Sequence, residues 1–284
     1  MPDRHPLRDK EITINQRTPP TPYRDALKLY ARFGYASRGI VYLLVGGLAT
    51  LAVLDQGGET TDSKGALQRL LLAPAGDILL VIIAVGLVGH SLWRCLQAIL
   101  DADAHGIGPK GLVIRSGLLA SAVTHTLLAI FALSLVFTLG QSGGGGGQGL
   151  ASWLMKQPFG QWLVGIAGVM FIGAGIAHIV KAVKGGFDRH LDMAERTKRW
   201  AYPICRFGLS TRGVVFLIVG GLFILAAWHS APDRAGGMSE VFSLLSHQIF
   251  GRWLLGIMAT GLFAFGLYSL LLSAYRRIDP NPKD

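Results

Sequence analysis

Two histidines stand inside long apolar stretches of this chain, His90 within residues 78–100 and His125 within 116–139. An imidazole in hydrocarbon can relay a proton, anchor a hydrogen-bonded cluster or ligate a haem iron. At the rise of a helix, His90 lies about 14 residues, or about 21 Å, past the outer start of its helix, and His125 about 13 residues, or about 20 Å, past the inner start of its own. Both are expected near mid-depth on consecutive antiparallel helices. Arg94 follows His90 by one turn on the same face, and Thr124 adjoins His125, so these four form a candidate intramembrane polar site. Arg94 is expected to snorkel or to pair with Asp101 or Asp103. Three uses of the histidine pair compete: polar glue between helices, a substrate or proton pathway in a transporter, and axial ligation of a b-type haem. His178 lies nearer the cytoplasmic end. A second set, Arg32, Arg38, Arg115, Arg206 and Arg212, offers candidate contacts to an anionic headgroup or ligand, because guanidinium groups hold phosphate with two parallel hydrogen bonds. Arg38 and Arg212 are expected at the cytoplasmic ends of short spans, where they would snorkel.

These side chains need elements that cross a bilayer. The 284 residues are 51% hydrophobic and 15% charged, against about 25% charged in soluble domains. Six stretches approach the length of about 20 residues that a membrane helix needs: 39–54 (extended by 34–37), 78–100, 116–139, 162–183, 213–228 and 253–274. The net charge of +10 is not spread over a soluble basic face, which argues against nucleic acid. Of the 27 Lys and Arg, only Lys64, Arg69, Lys156, Arg234 and Arg252 fall on one side of these spans, so both termini are expected to be cytoplasmic. No signal peptide is visible. Residues 1–22 read as a disordered cytoplasmic tail. Tyr23, Leu27, Tyr30 and Phe33 recur at helical spacing beside Arg24, Lys28 and Arg32, which predicts a short basic helix on the membrane surface.

The chain repeats itself. Residues 38–48 (RGIVYLLVGGL) and 212–222 (RGVVFLIVGGL) agree at eight of eleven positions. The same frame on the third span puts Ser121 at the position of Arg38 and Arg212, and His125 at the position of Tyr42 and Phe216. Each even-numbered span opens on a glycine (Gly76, Gly160, Gly251) after a short amphipathic stretch carrying Leu67 and Leu70, Ala151 and Leu154, or Phe242 and Leu245. The expected architecture is all-α, with six transmembrane helices as three repeated hairpins. Repeat one covers 23–104, repeat two 105–186 with a Gly-rich outer loop, and repeat three 187–278, before a cytoplasmic tail at 279–284. The Arg-Gly-aliphatic-aromatic-Leu opening and the Gly-initiated second helix resemble the bacterial membrane family called domain of unknown function 1206. That resemblance implies tandem two-helix units in three copies and brings no catalytic residues.

Gly39 and Gly46 share one face of their helix, as do Gly213 and Gly220, and Gly256, Gly261 and Gly266 make a similar small-residue surface, as close packing in lipid requires. Cys95 and Cys205 are too few and too distant for a disulfide scaffold. No nucleophile elbow, phosphate-binding loop, HExxH or zinc-ligand spacing occurs, and no span carries a central carboxylate. Neither an enzyme, nor a metal site, nor a cofactor is expected. The favoured function is a structural or accessory component of the bacterial inner membrane, with anionic lipid at its cytoplasmic face and a homo-oligomer as a possible assembly. The alternative is a transporter, or a protein binding a small ligand or lipid, with its site at His90 and His125. A haem-binding redox protein is third.

Overall fold

The computed structural model describes residues 22–54, 61–101, 105–137, 147–185, 191–231, 234 and 236–276. Residues 1–21 of the tail expected at 1–22, the tail at 279–284 and most of the Gly143–Gly147 loop lie outside them, while Pro22 opens the first helix. Nine helices occur among the described residues: α1 (Pro22–Val53), α2 (Ser63–Leu71), α3 (Gly76–Leu100), α4 (Pro109–Phe137), α5 (Gly147–Met155), α6 (Gly160–Lys184), α7 (Glu195–Trp228), α8 (Met238–Ser246) and α9 (Gly251–Tyr275). Six of them are long and apolar enough to cross a membrane. The fold is therefore all-α and six-spanning, in three hairpins, each with a nine-residue helix leading into its second span.

The lead-in follows one design three times. Leu67, Ala151 and Phe242 are buried anchors at the same distance before the glycine that starts the next span. The amides of Gly76, Gly160 and Gly251 donate to the carbonyls of Ala73, Gln157 and Gln248 at 2.8–2.9 Å. A Cβ at these glycines would stand 2.7 Å from Leu71 O, 2.5 Å from Met155 O and 2.7 Å from Leu245 O, so only glycine lets the chain fold back so tightly.

Each odd span packs on the even span of a neighbouring repeat: α1 on α9, α4 on α3 and α7 on α6. Within repeats, α1 packs on α3 and α7 on α9. These pairs link the six spans in the order α4, α3, α1, α9, α7, α6, a ring with one break, because α4 and α6 share no extensive contact. Glycine lines the tightest seams. Gly39 and Gly266 meet between α1 and α9, and Gly213 and Gly220 meet Gly175 and Gly168 between α7 and α6. A Cβ at Gly46 would lie 2.8 Å from Ala259 O, whereas one at Gly256 would touch only Val53, at 3.6 Å. Such contact replaces the hydrophobic drive that lipid cannot supply.

The odd helices correct the expected spans. α1 and α7 begin 17 and 18 residues before Gly39 and Gly213, where the sequence pattern put the first and fifth spans. The basic stretch around Arg32 is not a separate surface helix but the opening of α1. Ala31, Gly34, Tyr35 and Ser37 are buried, with Gly34 against α3, so the packed face runs on through a segment whose average polarity hides it.

Candidate functional site

The longer odd helices move two arginines to the middle of the bundle. Arg38 lies 16 residues after the start of α1 and 15 before its end, and Arg212 lies 17 after the start of α7 and 16 before its end. Both side chains are buried, at 5% and 9% exposure. That burial replaces the headgroup contact expected of both with contacts inside the protein. Arg38 donates through Nε and Nη2 to the Ser269 hydroxyl of α9, at 3.3 and 3.1 Å. Ser269 in turn donates to the carbonyl of Phe265 at 3.0 Å, which leaves its lone pairs to the arginine.

Two aromatic rings organise the charges. Arg38, Arg94 and Arg276 stand over Tyr35, at 5.2, 5.7 and 5.4 Å from its ring centroid. Arg38 also faces Phe265 at 5.4 Å, and Arg212 faces the same ring at 4.5 Å. Tyr42 and Phe216, equivalent in the repeat, bracket Arg212 at 4.6 and 4.7 Å. Each desolvated cation–π contact is worth about 2 kcal/mol. Ring faces thus stand where carboxylates would be expected. Among the described residues no acidic group contacts Arg38, Arg94 or Arg212, and Nε and Nη1 of Arg212 are buried with no hydrogen-bond partner.

His90 and His125 meet in this cluster, with ring centroids 4.6 Å apart. Arg94 Nε donates to His90 Nε2 at 3.3 Å, and Arg38 Nη1 approaches the same atom at 3.5 Å. Because guanidinium only donates, His90 Nε2 is the acceptor and the ring is the neutral Nδ1–H tautomer. That Nδ1 is buried without a partner. His125 Nδ1 donates to the Ser121 carbonyl at 2.6 Å, which leaves its Nε2 as the acceptor side of the ring. Rings in mutual contact leave no room for a porphyrin plane between them, and His90 Nε2 is already occupied. The pair therefore does not fit a bis-histidine haem. His178 joins from α6, 5.4 Å from Phe216 and 6.4 Å from Phe265. All six spans contribute to the cluster.

Other expected residues fall elsewhere. Thr124 is outside the cluster: it is exposed, and its hydroxyl donates back to the Ser121 carbonyl at 2.9 Å. The hydroxyls that do join α3 to α4 are Ser91 and Thr126, 2.6 Å apart, with Ser91 also 2.7 Å from the Ala122 carbonyl. Arg94 pairs with His90 and with Gln97 Oε1 rather than with Asp101, and Asp103 lies outside the described residues. Asp101 accepts from the amides of Gly106 and His105, at 2.6 and 2.8 Å, and these hold its carboxyl below the usual range. Arg115 donates to the Ala98 and Ile99 carbonyls at the end of α3. Arg32 and Arg206 are exposed, Arg206 lying 6.0 Å over Tyr202. Sequence reasoning missed Tyr35, Phe265, Ser269 and Arg276. The repeat frame carried a signal for one of them, since it makes Arg94, His178 and Ser269 equivalent.

Comparison with known proteins sets this geometry in a family. The profile described as Domain of Unknown Function (DUF1206) matches residues 33–101, 116–185 and 207–276. A protein of Bacillus subtilis (strain 168) designated Uncharacterized protein YxxB is 34% identical over 271 residues, covering 93% of this chain and 95% of the relative. No solved structure matches. The chain belongs to the DUF1206 family, with three copies of its unit.

Proposed function

We propose that this member of the DUF1206 family binds an anion between its helices, as a membrane carrier or receptor rather than a purely structural component. The observation that carries this reading is the Arg212 guanidinium: mid-span, nine-tenths buried, without an acidic partner among the described residues and with two nitrogens free of hydrogen bonds. An arginine at a membrane centre costs about 2.5–3.5 kcal/mol on insertion scales. A bundle that needed only packing would do as well or better with an apolar residue there. Arg38 shares the Phe265 ring with Arg212, the two guanidinium groups lying 5.4 and 4.5 Å from the ring centroid, and such a pair of forked donors suits phosphate or carboxylate. His90 and His125 add neutral polar edges, and no catalytic role is assigned to them.

The protein acts in the bacterial inner membrane with both termini cytoplasmic. The Lys and Arg bias supports that orientation even when the buried Arg38, Arg94 and Arg212 are left out of the count. Exposed Arg32 and Arg206 suit anionic headgroups at the cytoplasmic surface. Association with a second copy is compatible with the exposed apolar faces of α4 and α6.

The test is native mass spectrometry of the purified protein released gently from detergent, comparing wild type with an Arg38→Gln, Arg212→Gln double variant of equal helicity. An anionic adduct on wild type that is absent from the variant is expected. A bare wild-type protein, or the same adduct on both, would overturn the reading.

A further inference from the structure

The one break in the ring of spans lies between α4 and α6, and three observations say what it is for. The first is a contrast among equivalent glycines. Gly34 and Gly208 are pressed against the backbones of His90 and Phe265, so close that no Cβ would fit, and they close the first and third hairpins. Gly117, their counterpart in the middle hairpin, has nothing within 4 Å of an added Cβ. On α6, Gly173 is equally open, while its counterpart Gly89 lies against the Tyr30 carbonyl at 2.8 Å. The middle hairpin thus keeps the small residues of a closed seam and leaves the seam open.

The second observation is where the seam leads. Its two walls each carry a member of the buried cluster: α4 brings Ser121 and His125, and α6 brings His178. From the α4 side, His125 touches His90, which touches Arg38. From the α6 side, His178 lies against Phe216 and Phe265, the rings that bracket Arg212. Arg212, with its unpartnered Nε and Nη1, thus lies on the far side of the rings that His178 touches. The third observation is depth. Gly117 and Gly173 are exposed on spans that cross the bilayer, so what meets this opening is lipid.

We infer that the α4–α6 seam is a lateral portal for an anionic phospholipid, whose phosphate is held by Arg212 and Arg38 while its acyl chains remain in the seam and the surrounding bilayer. This rests on the anion-binding reading above and names the ligand class and its route. A soluble anion has no need of an opening toward lipid. A phospholipid does, because its chains cannot leave hydrocarbon while its headgroup is held. Exposed apolar residues on the Gly173 face of α6, Ile166 and Met170, suit those chains.

The experiment uses the full chain in a non-ionic detergent, with three probes measured separately by native mass spectrometry: lysophosphatidylglycerol, lysophosphatidylcholine and inorganic phosphate. The variants are Gly173→Trp and, on the facing wall, Gly117→Trp, each of which adds a side chain to open space. Wild type is expected to prefer the anionic lysolipid over the zwitterionic one. Either tryptophan should weaken lysolipid binding by about tenfold or more, equivalent to 1.4 kcal/mol, while inorganic phosphate still binds. Equal lysolipid binding to wild type and to both variants would overturn the portal. Phosphate binding without lysolipid binding would overturn the lipid assignment and leave the anion site standing. If wild type binds neither probe, the anion site and the portal both fall.

Discussion

In the first and third hairpins the odd span lies against its own even span, with Gly34 on the backbone of His90 and Gly208 on that of Phe265; in the middle hairpin Gly117 meets nothing. The chemistry of the repeat breaks at the same place. Where the closed hairpins carry Arg38 and Arg212, the open one carries Ser121. Where they carry Tyr42 and Phe216, it carries His125, and where they carry Arg94 and Ser269, it carries His178. The closed hairpins supply cations and the rings that hold them. The open hairpin supplies two walls and two imidazoles. The three-fold scaffold keeps its turns, while the middle unit departs from the other two in packing and at the Arg38 and Tyr42 positions.

The largest effect that would break this comparison comes from adding a methyl group to the equivalent glycines. Gly34→Ala and Gly208→Ala should each lose about 1–3 kcal/mol, because the new Cβ meets backbone that cannot give way. Gly117→Ala should change stability by no more than about 0.5 kcal/mol. Thermal unfolding in one detergent checks all three, and a Gly117 variant as damaged as the others would mean that the middle hairpin closes. Next in size is Ser91→Ala, which removes the contacts to Ala122 and Thr126 that tie α4 to α3. A loss of about 1 kcal/mol is expected, with faster hydrogen exchange confined to α4; exchange spread evenly over all spans would count against a loosely held middle hairpin.

The smallest effect lies at the α3–α4 connection. Asp101 has its carboxyl held below its ordinary value of 3.8 chiefly by the Gly106 amide, then by that of His105. Because the folded value is the lower one, the carboxylate steadies this loop fully above pH 3.8 and the effect fades as pH falls below it. Asp101→Asn should abolish that acid sensitivity locally and leave the closed hairpins untouched, as amide exchange at Gly106 against pH would report.

Much of the fold was legible because membrane physics makes it so. A run of about 20 apolar residues can only be a helix, and glycines at fixed offsets marked each turn. The starts of α1 and α7 were not legible, because residues around Arg32 and Arg199 average as polar. A helix continues through such a segment as long as one face is buried, and Ala31, Tyr35, Ala201 and Cys205 form that face. This one misplacement decided the site. Mid-depth helical arithmetic brought His90 and His125 to notice, yet an arginine assigned to a helix end could not join them. Phe265 and Tyr35 were hidden for another reason: aromatic residues in an apolar span carry no pattern that separates a ring packing on leucine from a ring facing guanidinium.

The most direct test of the central claim replaces Arg212 by Met, which fills much the same space and suits the surrounding rings. Thermal unfolding without ligand is measured together with the bound adduct in native mass spectrometry. If the guanidinium is kept for an anion, Arg212→Met unfolds at the same temperature as wild type or above it, and the adduct is gone. A variant that unfolds well below wild type while still carrying the adduct would show that Arg212 holds the bundle together, and that the anion site is wrong.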